Sequence, residues 1–209
     1  NYTYPPVVAE ANKVARFWLQ DMGADGFRLD AVPYLVEEGT HLAHTPGTHK
    51  VLHDYEAYVR SVKPDGFTIG EVSYNNDVLL GYYPEQLDSY FAFEAADSLI
   101  AAVRRGSAKG LLSPMLRLQG DIPRDRWSPF LRNHDQPRTR TELGGDMARA
   151  RIASFLLLTM PGVPFVYYGE ESGMIGATHH APPLPPSHLT PRPGPGVPAR
   201  PTPARAGGG

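Results

Sequence analysis

The run Gly26-Phe27-Arg28-Leu29-Asp30 constrains this chain more than any other stretch. It reads as a short, buried β-strand, along which side chains alternate between the two faces. Phe27 and Leu29 then share one face, and Arg28 and Asp30 share the other. A charged pair at the C-terminal end of an apolar strand makes a poor core. It makes a good site, because a fixed guanidinium keeps a neighbouring carboxylate ionised and aimed.

The same device recurs further along. Residues 67–72 read as a second strand, with Glu71 at its end, and residues 89–93 as a third. Residues 129–132 read as a fourth strand, running into Asn133-His134-Asp135-Gln136, and residues 163–168 as a fifth, ending in Gly169-Glu170-Glu171. Helical patterns separate them. After Pro5-Pro6, the residues Val7, Ala11, Val14, Trp18 and Met22 recur at helical spacing, and Gly23 stops the run. Further helices are expected near residues 48–62, 76–82, 97–105, 108–118 and 146–159, the last with Ile152, Phe155, Leu156 and Leu158 as its apolar set. Strands alternating with helices predict an α/β protein with a parallel sheet. Polar residues gathered at one strand end predict a TIM-type barrel, whose chemistry collects at the C-terminal rim.

Composition removes several classes of function. A net charge of -2 gives no electrostatic case for nucleic acid or an anionic membrane, and no apolar run is long enough for a membrane span. Neither partner is therefore expected. The absence of cysteine excludes disulfide and thiolate chemistry. No glycine-rich phosphate loop follows a first strand, which argues against a nucleotide-binding α/β protein. His41, His44, His49 and His53 fit no compact ligand spacing, so no metal site is assigned.

Residues 1–176 carry all of these elements and form the expected domain. From Ala177 proline becomes the commonest residue, and Asp, Glu, Ile, Phe, Tyr and Trp disappear. Residues 177–209 are expected to be disordered or partly polyproline II. They read as a linker or, preferably, as the product of a GC-rich gene read out of frame.

Asp30, Glu71 and Asp135 each end a predicted parallel strand, so a barrel would bring them to one rim. One strand-end acid is more often a helix cap or a salt-bridge partner. Three, with Arg28 beside one and His134 beside another, point to a site. Paired carboxylates serve retaining glycoside hydrolysis, in which one attacks the anomeric carbon and the other protonates the leaving oxygen. Tyr34, Tyr74, Phe93 and Trp127 are candidate sugar platforms.

At this point a resemblance becomes specific. The segments Gly26-Phe27-Arg28-Leu29-Asp30, Gly70-Glu71-Val72 and Phe130-Leu131-Arg132-Asn133-His134-Asp135 resemble three signature segments of the alpha-amylase superfamily (glycoside hydrolase family 13), in the family's order. Residues 162–171 are similar to the family's last barrel strand and the turn after it. The match covers about the second half of a (β/α)8 barrel, strands four to eight. It implies that Asp30 is the nucleophile, Glu71 the general acid and then base, and Asp135 the stabiliser of the reacting sugar. Arg28 would orient Asp30, and His134 would hydrogen-bond the sugar. The implied substrate is an α-1,4-linked glucan or oligosaccharide.

Two departures qualify the resemblance. The family's earliest signature, which in many members supplies a calcium ligand, lies upstream of this chain. No cofactor is therefore assigned to these residues, and any calcium would belong to a parent protein. The chain begins at Asn1 with no signal-peptide pattern and is expected to be a fragment, inactive alone, because half a barrel exposes two sheet edges. In addition, Pro33 and Tyr34 stand where many amylases carry Lys-His, and the run Asp30-Ala31-Val32-Pro33-Tyr34 resembles trehalose-synthase-like members. Glucosyl transfer or isomerisation is the runner-up to hydrolysis. A non-catalytic accessory member is disfavoured because all three acids are present.

Overall fold

The computed structural model describes residues 2–122 and 125–177, so the proline-rich stretch lies outside the described residues apart from Ala177. Four short strands, β1 (Gly26–Leu29), β2 (Phe67–Gly70), β3 (Ser89–Phe91) and β4 (Trp127–Ser128), form one parallel sheet in the order β1-β2-β3-β4. Helices α1 (Pro5–Arg16) and α2 (Pro46–Val62) flank β1, and α3 (Asn76–Leu80) joins β2 to β3. Helices α4 (Phe93–Arg105) and α5 (Leu112–Asp121) join β3 to β4, and α6 (Thr139–Glu142) and α7 (Met147–Thr159) follow. This is the expected α/β alternation on a parallel sheet.

Local chemistry sets the ends of these helices. Thr45 accepts a hydrogen bond from the Thr48 N–H at 3.1 Å and caps α2, with Pro46 in the first turn. Asp146 caps α7 by accepting from the N–H groups of Ala148 and Arg149. Gly106 ends α4 in the left-handed region, at a φ of 64° that a residue with a Cβ adopts only with strain.

The register of β1 against β2 pairs Gly26 with Phe67 and Leu29 with Gly70. At Gly26 an added Cβ would lie 1.7 Å from the Phe67 carbonyl oxygen, so only glycine lets the two backbones approach there. One cluster of buried residues, including Trp127, Tyr90, Leu87, Leu118 and Leu79, fills the space between the sheet and α3 and α5. A second packs Leu99, Ile100 and Val103 of α4 against Leu131 and against Ala150, Ala153 and Leu157 of α7.

Several expectations are corrected. The strand carrying Arg28 and Asp30 is only half-buried, because β1 is an edge of the sheet with a partner on one side. The fourth strand lies at Trp127–Ser128, upstream of the expected residues 129–132. Its ladder with β3 ends early because Pro129 has no N–H to donate. The expected fifth strand shrinks to a parallel bridge between Phe130 and Phe165. Around it the Val163 N–H donates to the Trp127 carbonyl at 3.0 Å and the Phe165 N–H to that of Pro129 at 2.9 Å. Pro164, lacking an N–H, falls between these two donors and faces the other side, as an edge tolerates. In α7 Ile152, Phe155 and Leu158 are exposed, whereas Ala150, Ala153 and Leu157 pack on α4. Apolar residues occur on every side of this helix, beside Arg149 and Arg151, so periodicity alone could not choose its buried face.

Candidate active site

The β1–β2 ladder runs on past the strand ends and fixes the first two acids. The Glu71 N–H donates to the Leu29 carbonyl at 3.0 Å, and the Val32 N–H to the Glu71 carbonyl at 3.3 Å. Between them Ala31 takes a left-handed conformation, with a φ of 45°, and turns the chain immediately after Asp30. This is unusual backbone for a residue with a Cβ, and such strain gathers at functional sites.

One guanidinium joins the two carboxylates. Arg28 donates through Nη1 to Asp30 and through Nη2 to Glu71 Oε2 at 2.7 Å. Ser73 donates to the other Glu71 oxygen at 3.1 Å. The Glu71 side chain is only 12% exposed, whereas that of Asp30 is 75% exposed. The Arg28 hydrogen bond holds the Asp30 carboxyl below the ordinary aspartate range, and the nearby His134 acts in the same direction.

The third acid comes from the segment after β4. Asn133 Oδ1 accepts from the Asp135 N–H at 3.0 Å, and His134 Nε2 lies 3.2 Å from Asp135 Oδ2. His134 lines a cleft of about 150 Å3 together with Arg28, Glu71, Phe93, Arg132 and Tyr167. The structure brings Arg28, Asp30 and Glu71 into one ion-paired group; Arg28 and Glu71 share the cleft with His134, whereas Asp30 faces a neighbouring hollow beside Leu29, Val32 and Leu35. Asp135 does not line the cleft and reaches it only by its contact with His134.

The candidate platforms separate. Phe93 lines the cleft. The hydroxyls of Tyr34 and Tyr74 stand 2.7 Å apart, joining the loops that follow Asp30 and Glu71. The edge of the His44 ring backs Tyr74, with centroids 4.6 Å apart, and His44 Nδ1 bonds the Tyr82 hydroxyl at 2.7 Å. Burial holds the pKa of His44 below its ordinary value. Trp127 is fully buried and cannot serve as a platform, because its indole is part of the core.

Two arginines beside the segment carrying His134 and Asp135 have no role assigned from the sequence. Arg132 and Arg138 are both buried, on either side of residues 133–137. Nothing local marks them as buried, since their partners lie on other elements. Among the described residues no group of three or more His, Cys, Asp or Glu side chains is placed to hold a metal ion.

Comparison with known proteins follows the same lines. A family model described as alpha amylase, catalytic domain, matches residues 1–188. The chain is 34% identical over 182 residues to alpha-amylase 3 of Dictyoglomus thermophilum, a match covering 85% of this chain and 35% of that protein. It is 31% identical to a trehalose synthase from Pimelobacter sp., over 83% of this chain and 38% of that one. Among solved structures, an alpha-amylase from H. orenii superposes with a TM-score of 0.74 at 32% identity, covering 87% of this chain and 37% of that one. The chain thus spans between a third and two fifths of the length of these relatives.

Proposed function

Because this chain belongs to the alpha-amylase family, we propose that it carries the reacting groups of a retaining α-glycoside hydrolase. The substrate class is α-1,4-linked glucans or oligosaccharides, and the activity belongs to a longer protein that completes the barrel. The observation that carries this reading is the Arg28 guanidinium shared by Asp30 and Glu71. Two carboxylates bound to one guanidinium stand close together. That favours the retaining spacing of about 5–5.5 Å over the roughly 6.5–9.5 Å that inverting enzymes keep for a water.

In this reading Asp30 attacks the anomeric carbon while the bond to the leaving oxygen breaks, and Glu71 gives that oxygen its proton. The product of the first step is a glycosyl ester on Asp30. In the second step Glu71 takes a proton from water, the water oxygen attacks the anomeric carbon, and the Asp30 carboxylate leaves. Arg28 keeps Asp30 ionised and aimed throughout. His134 and Asp135 bind sugar hydroxyls, and the Asp135 charge opposes the positive charge that develops on the ring.

The test is Glu71→Gln in the longer protein. It should lower kcat/KM on maltooligosaccharides by roughly 10²–10⁴-fold, the range for losing a positioned acid. The loss should be much smaller in the first step with an aryl glycoside whose phenolate leaves without a proton. Equal losses on both substrates would contradict the assignment.

A second reading, glucosyl transfer or isomerisation, draws support from the Pimelobacter trehalose synthase match and from the Tyr34–Tyr74 pair. A phenolic wall beside the glycosyl ester would retain a sugar acceptor and exclude water. Product analysis on maltose separates the two, since transfer yields a new disaccharide and hydrolysis yields glucose alone.

A further inference from the structure

Residues 133–137 form an arch between the end of the β4 segment and α6. Its internal bonds are local: Asp135 N–H to Asn133 Oδ1 at 3.0 Å, Gln136 N–H to the Asn133 carbonyl at 3.3 Å, and the 3.2 Å contact of His134 with Asp135. These bonds shape the arch without anchoring it to the body of the protein. The anchors stand at its two feet.

At one foot, the Arg132 side chain is only 6% exposed. Its Nη1 donates to Asp97 of α4 at 3.0 Å and to the Leu131 carbonyl at 2.9 Å, and its Nη2 donates to Glu142 of α6 at 2.6 Å. Its Nε is buried without a partner. At the other foot, Arg138 Nη1 donates to the Tyr168 carbonyl at 2.6 Å, and the Arg138 N–H donates to the Gly176 carbonyl at 3.0 Å. The same guanidinium lies over the rings of Tyr167 and Tyr168, at 4.7 and 4.6 Å from their centroids. Arg132 and Arg138 are the two arginines that are buried among the described residues.

Burying a guanidinium costs several kcal/mol before its partners repay it, and well-packed apolar side chains commonly stabilise as well or better. Stability alone therefore gives little reason for an arginine at either foot. A planar fork with several fixed donors does fix direction, which an apolar side chain cannot do. Arg132 binds one rigid helix on each side of the arch, and Arg138 binds the turn that carries Tyr167 into the cleft.

We propose that Arg132 and Arg138 are positioning residues, a pair of buried guanidiniums that clamp both feet of residues 133–137 and so aim His134 and Asp135 at the sugar held by Asp30 and Glu71. The proposal rests on the reading of Asp135 and His134 as sugar-binding groups. Neither arginine touches the reacting atoms in this account. Each acts through the arch.

The experiment is a pair of double-mutant cycles in the longer protein, with Arg132→Lys and Arg138→Lys each made alone and on an Asp135→Asn background. Lysine keeps the charge and removes the fork. Each lysine variant should retain its circular dichroism spectrum and lose about tenfold in kcat/KM, mostly in kcat, because the lost interaction acts in the transition state. On the Asp135→Asn background the same change should cost less than about twofold, since the group it aims is already gone. Equal losses on both backgrounds, or no loss in the single variants, would overturn the clamp. If a lysine variant does not fold, Glu142→Ala and Asp97→Ala each remove one bond from Arg132 and must show the same background dependence. Near-normal activity of Asp135→Asn alone would instead overturn the assignment of Asp135, on which the clamp depends.

Discussion

Replacing Arg28 by methionine should disable the proposed site while leaving the sheet intact, because Arg28 stands on an edge strand with its guanidinium directed at two carboxylates. A hydrogen bond to a charged group contributes about 1.5–3 kcal/mol. The Glu71 bond takes that range, since its carboxylate is only 12% exposed. The Asp30 bond counts for about 1 kcal/mol at most, because water screens charges this exposed. Together they predict a loss of about 1.5–4 kcal/mol in transition-state stabilisation, or roughly 10- to 1000-fold in kcat/KM. The assay is initial-rate hydrolysis of a maltooligosaccharide by the longer protein across a range of pH. A second signature accompanies the rate. The Arg28 hydrogen bond lowers the Asp30 pKa from 3.8, so its loss should move the acid limb of kcat/KM to higher pH. The linkage has the same sign for folding: with a depressed folded pKa, the contribution of Asp30 to stability is present above its unfolded value and lost as pH falls through the folded one. A methionine variant within threefold of the parent, or one with an unmoved acid limb, would refute this reasoning.

Two further outcomes are expected. The purified 209-residue chain should show no measurable maltoside hydrolysis and should self-associate in light scattering, because β1 is an open sheet edge and Phe17, Trp18, Ile152 and Phe155 are exposed; an active monomer would contradict this. At the opposite end of the strands, Asp88 accepts from the Thr68 N–H at 2.9 Å and the Thr68 hydroxyl at 3.2 Å, and pairs with Arg60. Asp88→Ala leaves the fully buried Thr68 short of partners and should cost about 1–3 kcal/mol by thermal or chemical denaturation, without changing KM. An unchanged midpoint would show that water replaces the carboxylate freely.

What the sequence disclosed follows from which signals are local. Alternation on a strand is local, and it placed Arg28 and Asp30 on one face, where the structure bonds them. Helix punctuation is local too: a π-helical turn, Phe17–Asp21, carries α1 on, and Gly23, with a φ of 73°, follows its end. Burial is not local. The indole of Trp127 looked available for a sugar, yet it lies in the core beneath the sheet. The guanidinium of Arg132 is buried because Asp97 and Glu142, distant in sequence, draw it inside. In α7 apolar residues on several sides concealed the packing face, which Ala150, Ala153 and Leu157 supply. Residues 129–132 looked like a strand from their apolar content, but Pro129 and Pro164 have no N–H, and the ladder shifted to the donors that remained. Asp30 and Glu71 were therefore legible from strand ends, whereas Asp135 lies seven residues past β4 and the buried arginines beside it were given no role.

The central claim is that Asp30 forms a covalent bond to the sugar, and it can be measured directly. The longer protein would be incubated with a fluorinated α-glycosyl fluoride, which forms the glycosyl ester quickly and releases it slowly, then digested and mapped by mass spectrometry. The account predicts one glycosyl adduct, on the peptide containing Asp30 and absent from Asp30→Asn. An adduct on Glu71 or Asp135, or turnover with inversion and no adduct at all, would contradict it.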